Sequence, residues 1–188
     1  MAKATADRFF VALLPPQPLQ DEITAIKQEI WQRFDSKAAL KSPPHITLQP
    51  PFLWPLPEAP RLEDHLKAFA QTQPAVPIQL RGYSAFAPRV IYIDVAQTAQ
   101  LMAMQPAIAA HLAESCGLVD RVGKARPFTP HLTVGFRDLS PAAFRQAWAE
   151  FEQRPFTADF VAQALALLHH DGKVWQVFAE LPLQAPSP

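Results

Sequence analysis

Residues 44–48 read Pro-His-Ile-Thr-Leu, and residues 130–134 read Pro-His-Leu-Thr-Val. In an extended chain, residues two apart share a face. His45 and Thr47 therefore point one way, while Ile46 and Leu48 point the other. His131 and Thr133 stand in the same relation to Leu132, Val134 and Phe136. Each stretch reads as a short strand with an apolar anchoring face and an imidazole–hydroxyl pair on the opposite face.

The surroundings of the two stretches repeat as well. Residues 8–14 form a continuous apolar strand. Residues 20–34 place Ile23, Ile26, Ile30 and Phe34 at helical spacing. A short proline-bounded strand at 45–49 follows, then a helix at 61–71 with Leu62, Leu66 and Phe69 on one face, and strands at 76–83 and 89–95. The pattern then restarts. Residues 98–116 form a helix striped by Leu101, Met104, Ile108 and Leu112 and stopped by Gly117. A strand lies within 129–136, and Ser140-Pro141 opens a helix reaching about residue 151. Segments 156–168 and 173–183 close the chain as a hairpin, its turn at His169-His170-Asp171-Gly172. The second half of the first arm is apolar enough to read as a helix as well. Two similar units, roughly 8–86 and 89–181, make up one bilobal domain spanning 1–188. Packed about a pseudo-two-fold axis, they bring the two His/Thr pairs together across a cleft.

Composition narrows the partners. Lys plus Arg and Asp plus Glu each number 17, so the formal net charge is zero. That balance excludes a grip on long duplex nucleic acid, which depends on many neutralised phosphates; a small nucleotide or a single RNA end needs only local cations. The single cysteine, Cys116, leaves no intrachain disulfide and no thiolate metal cluster. The apolar run at 9–14 is too short for a secretory or membrane-spanning segment. A cytoplasmic monomer with no membrane contact is expected. The 21 prolines gather at 15–18, 43–60 and 127–130, and they read as strand ends and turns.

Two imidazoles flanking one site suit phosphodiester cleavage. One takes a proton from the attacking oxygen and the other gives one to the leaving oxygen; the ordinary histidine pKa of about 6.5 permits either role. The threonine hydroxyls can donate to the non-bridging phosphate oxygens, where charge develops. No carboxylate cluster suggests a metal, so neither metal nor cofactor is expected. A single His-x-Thr on a strand is weak, because a half-buried histidine usually just satisfies a hydrogen bond. Two copies, each after proline and each at the same place in a repeated unit, are a much stronger signal.

The pair PHITL and PHLTV resembles the two HxTx signatures of the 2H phosphoesterase superfamily, which contains 2′–5′ RNA ligases and cyclic nucleotide phosphodiesterases. The resemblance runs from the RFFVALLPP opening strand to the final hairpin. It implies an α+β bilobal fold, a pseudo-two-fold duplication with antiparallel sheets lining a central cleft and helices outside. It implies 2′,3′-cyclic phosphodiesterase or 2′–5′ linkage chemistry, with possible reverse ligation and no metal or nucleotide cofactor. By the same resemblance His45 and His131 are the acid/base pair, and Thr47 and Thr133 bind the phosphate. Several bacterial members carry an arginine five residues after the second histidine. Here that position is Phe136 and the arginine is Arg137, which alternation puts beside His131 and Thr133 if the strand continues that far. A non-catalytic module that binds RNA ends or nucleotides is the alternative from another class, and a cyclic phosphate on an ADP-ribose-type metabolite is an alternative substrate.

Other residues are weaker candidates. Arg126, with Arg121 and Lys124, offers a phosphate contact in a loop that otherwise reads as solvated. Tyr92 lies opposite Ile91 and Ile93, where it could stack on a base or pack in the core. Phe9, at a similar place in the first unit, reads as core. His169-His170-Asp171 reads as turn chemistry rather than a metal site. His65 and His111 sit on helices, and Cys116 reads as a small buried hydrophobe at a helix end.

Overall fold

The computed structural model describes residues 6–119 and 127–184. Among the described residues, eight strands and four α-helices follow the order β1 (Ala6–Leu13), α1 (Gln17–Phe34), β2 (Ile46–Pro55), α2 (Ala59–Ala70), β3 (Val76–Phe86), β4 (Val90–Val95), α3 (Ala99–Cys116), β5 (His131–Gly135), α4 (Pro141–Phe151), β6 (Thr157–Ala162), β7 (Ala164–His170) and β8 (Trp175–Pro182). The strands form two four-stranded antiparallel sheets, in the orders β2-β1-β7-β8 and β5-β4-β3-β6. The architecture is α+β, as expected. Helices α1 and α4 pack against β5 and β4, and α2 and α3 pack against β8, β7 and β2.

Each sheet mixes the two sequence halves. Read from the motif strand inward, both run motif strand, opening strand of that half, then a strand from the other half. β7 thus completes the sheet of β1 and β2, and β3 completes that of β4 and β5. The segment 156–168, read as one arm of a hairpin or as a helix, is instead divided. β6 pairs with β3 in one sheet, and after Gln163 the chain enters β7 in the other. β6 alternates between exposed and half-buried positions, whereas β7 is buried from Leu165 to Leu168; the apolar residues 160–162 mask the boundary between them in the sequence.

The helices follow their stripes. Leu101, Met104, Ile108 and Leu112 are all buried, the Thr98 hydroxyl accepts from the Leu101 amide, and Gly117 ends α3 at φ 66°. Ser140 caps α4 the same way, with Pro141 at the first helical position. β2 is the main departure in length. Its prolines, read as a boundary at residue 50, lie inside a strand that runs to Pro55. β2 is an edge strand, where a missing N–H need not interrupt a ladder. The irregular register between Phe9 and Val11 falls opposite Pro50 and Pro51.

β1 shows how the layers divide. Phe9, Val11 and Leu13 enter the main core, whereas Phe10 and Ala12 join a small second cluster with Ala166 and Leu168 on the other face. A polar bracket ties the end of α1 to the end of β5. The Asp138 carboxylate accepts from the Ser36 hydroxyl at 2.6 Å and from the Lys37 and Ala38 amides at 2.8 Å. The fully buried Ser36 oxygen in turn accepts from the Phe136 amide at 3.2 Å. Because this carboxylate satisfies three donors, Asp138→Ala is expected to cost about 2–4 kcal/mol. Urea unfolding should show the loss, and an unchanged midpoint would mean that water replaces the bracket.

Candidate active site

β2 and β5 are edge strands of their own sheets and lie next to each other. Their burial alternates as the sequence predicts: Ile46, Leu48, Leu132 and Val134 are buried, while His45, Thr47, His131 and Thr133 are only partly covered. Thr47 from one sheet and His131 and Thr133 from the other line a single cavity of about 700 Å³, with Phe86 and Phe128 among its walls. His45 is set back from that cavity, its ring packed on Phe10 with centroids 4.7 Å apart. It is close enough to His131 for the two imidazoles to influence each other's charge.

The two histidines are held identically. Nδ1 of His45 lies 2.7 Å from the Pro43 carbonyl, and Nδ1 of His131 lies 2.7 Å from the Thr129 carbonyl. A carbonyl oxygen only accepts, so each Nδ1 carries the hydrogen and each Nε2 is left free for chemistry. Beneath His131 the Tyr92 and Phe86 rings sit 5.2 Å and 5.0 Å away. Both imidazoles therefore rest on aromatic floors, which restrict ring tilt.

Those floors also exclude water. Burial is the main cause that brings the His45 pKa down from 6.5 to about 4; the Lys27 and His131 charges push the same way, and the Pro43 hydrogen bond opposes them. Burial lowers His131 as well, against its bond to Thr129. Both rings favour the neutral form, His45 the more strongly.

The remaining candidates divide. Arg137 lines the cavity, but not by the route expected: β5 ends at Gly135, so strand alternation does not place it. The chain turns there, and the guanidinium stacks over its neighbour Phe136 at 5.6 Å. Tyr92 is buried and supports His131 from below, so its face is not open to a base. Arg126, Arg121 and Lys124 lie outside the described residues. Phe9 is core. His169 and His170 belong to β7 rather than to the turn; they meet Asp7 and Arg8, and the turn begins at Asp171. His111 donates to the His65 carbonyl. Among the described residues, no three His, Cys, Asp or Glu side chains converge as metal ligands would, and no helix is long and apolar enough to cross a membrane.

Sequence reasoning missed Phe10, Phe86 and Lys27. Alternation along β1 could have found Phe10, since it lies opposite Phe9. Nothing local marks Lys27, which sits on the apolar stripe of α1 and is 2% exposed.

The family model for the 2′-5′ RNA ligase superfamily matches residues 15–174, and the chain belongs to that family of 2H phosphoesterases. A relative from Geobacillus kaustophilus named "Putative phosphoesterase GK0864" is 26% identical over 174 residues, covering 91% of this chain and 93% of its own. Another relative, from Geobacillus thermodenitrificans and also named "Putative phosphoesterase", is 30% identical over 146 residues and 76% of each chain. Escherichia coli LigT, solved in complex with 3′-AMP, superposes with a TM-score of 0.68 at 18% identity, over 96% of this chain and 99% of its own. TT0787 of Thermus thermophilus gives 0.67 at 17% identity, over 96% and 100%.

The His45 environment has a measurable consequence. Its imidazole should stay neutral, protonated at Nδ1, down to about pH 4. Because an unfolded histidine takes up its proton near 6.5, the stability tied to this ring is complete above that value and declines as pH falls from 6.5 toward 4. Nitrogen-detected NMR titration reads both tautomer and midpoint, and a midpoint at the ordinary value would show the ring to be solvated.

Proposed function

We propose that this chain is a metal-independent phosphodiesterase acting on 2′,3′-cyclic phosphates of nucleotides or RNA ends, or on 2′–5′ linkages. The observation that carries this reading is the matched pair of imidazoles, each with Nδ1 tied to the carbonyl two residues back and Nε2 free. Two such groups beside two threonine hydroxyls meet the needs of in-line displacement at phosphorus. One Nε2 accepts the proton of the attacking water while the other, protonated, donates to the departing ribose oxygen. Thr47 and Thr133, on opposite walls of one cavity, donate to the non-bridging oxygens. His45, held further toward the neutral form, suits the base; His131 suits the acid.

LigT, with the same fold, has been solved with 3′-AMP, ATP and NADP+. Those complexes support a small nucleotide as ligand here, and a cavity of about 700 Å³ has room for a nucleoside beside the phosphate. Arg137 at the rim offers a charge to the same phosphate or to its neighbour.

Folded His45→Ala and His131→Ala variants should each lose about 10²–10⁴-fold in turnover of 2′,3′-cyclic nucleotides. Thr47→Ala and Thr133→Ala should lose less, since proton transfer remains. The profile of kcat/KM against pH should be bell-shaped, its acid limb near pH 4 where His45 gains a proton. Its alkaline limb should lie below the ordinary histidine value, because burial lowers His131. Turnover should survive excess EDTA. Near-wild-type rates in a folded histidine variant would remove that residue from the mechanism and favour a binding module; loss with chelator, restored by one divalent ion, would overturn the metal-free reading.

A further inference from the structure

A second cavity, of about 290 Å³, lies on the His45 side and is lined in part by Thr24, Lys27, Lys41, Ser42 and Trp175. Lys27 is only 2% exposed, and its Nζ donates to the Ser42 carbonyl at 3.0 Å. An ammonium has three N–H donors, and among the described residues no carboxylate pairs with this one. An unpaired buried charge is costly, and burial alone brings the Lys27 pKa down to about 7. In the two-histidine mechanism this residue touches no reacting group; its charge only adds to the lowering of the His45 pKa.

The neighbourhood is cationic and aromatic. Lys41 stands exposed at the rim. The Arg8 guanidinium lies 5.7 Å over the Trp175 ring and hydrogen-bonds His170 Nδ1 at 3.0 Å. The nearby carboxylate, Asp171, is already engaged by the Lys173 and Val174 amides and by Gln176. Trp175 also connects this cavity to the site: its ring is 4.6 Å from Phe10, and Phe10 is 4.7 Å from His45. Ser42, which takes the Lys27 hydrogen bond, is followed directly by Pro43, which holds His45.

We propose that this cavity is an anion subsite for a second phosphoryl group of the substrate, received by the Lys27 ammonium and the Thr24 hydroxyl with Lys41 at the rim. The assignment rests on the phosphodiesterase reading above and deepens it: the preferred substrate carries another phosphate besides the one between the histidines. An oxyanion supplies the acceptors that Lys27 lacks and restores its full charge in a place where burial would otherwise oppose it. The volume is at the lower bound for ligand pockets, about 300–1,000 Å³. It suits a phosphoryl group, with Trp175 as a wall, better than a nucleobase.

Two measurements test this. Crystals soaked in tungstate should show anomalous density at Lys27, and another position between Thr47 and Thr133. Lys27→Met, close to the lysine in shape, should lose the first position and keep the second; Lys41→Ala should weaken the first. In parallel, nucleoside 2′,3′-cyclic phosphates with and without a 5′-phosphate are compared. The wild-type protein should favour the 5′-phosphorylated form in kcat/KM by roughly tenfold, and Lys27→Met should bring that ratio close to one, as expected for loss of a charge-assisted contact. Absence of tungstate at Lys27 in the wild-type crystal would overturn the subsite. Tungstate there with the same substrate ratio in both proteins would mean an adventitious ion only and overturn the substrate assignment. Failure to turn over either substrate would count against the phosphodiesterase reading itself, while the tungstate result would still report on the subsite.

Discussion

A one-residue slip of β2 or β5 would turn its histidine and threonine into the core and expose Ile46 and Leu48, or Leu132 and Val134. Register therefore carries the site, and burial of the opposite face enforces it. The four anchoring residues are at most 1% exposed, so each motif strand is held by its back while its histidine and threonine stand on the front. Placement at sheet edges completes the arrangement. Only an edge strand has a flank without a ladder partner in its own sheet, and it is there that the two sheets approach each other.

The same apolar support shapes the electrostatics. Phe10 under His45, and Tyr92 with Phe86 under His131, exclude solvent from the imidazoles and favour their uncharged forms. The carbonyls of Pro43 and Thr129 work against that tendency while fixing the tautomer. Orientation and proton affinity are thus set by one local geometry in both places. Burial lowers the proton affinity of both rings, and at His45 the Lys27 charge adds to that effect.

Much of this was legible in the chain because the signals were local. The α3 stripe of Leu101, Met104, Ile108 and Leu112, the Thr98 and Ser140 caps and the alternation around both histidines depend on spacing and turn chemistry within a few residues. What could not be read depended on partners far away in sequence. Prolines 50 and 51 read as the end of β2 because the residues alone do not show which strand becomes an edge. The segment 156–168 was not divided between β6 and β7, since Phe160, Val161 and Ala162 carry the apolar run across the boundary although β6 alternates between exposed and half-buried positions and only β7 is a buried run. Arg137 was placed by alternation along a strand that stops at Gly135, and the Asp138 bracket to Ser36, Lys37 and Ala38 that accompanies this ending joins residues about a hundred positions apart. Lys27 was hidden for a related reason: a lysine on a helix stripe is ordinarily read as reaching out to water.

The exchange of strands between the halves has a consequence during synthesis. β1 begins at Ala6, yet its inner neighbour β7 begins only at Ala164, so the nascent first sheet waits for most of the chain to emerge before it can close. Until then β1 can pair only with β2, and its other flank, apolar in the native sheet, has no partner. The second sheet has β3, β4 and β5 in hand earlier and lacks only β6. A chain truncated before β7 would leave the strands that carry His45 and Thr47 without their inner neighbour.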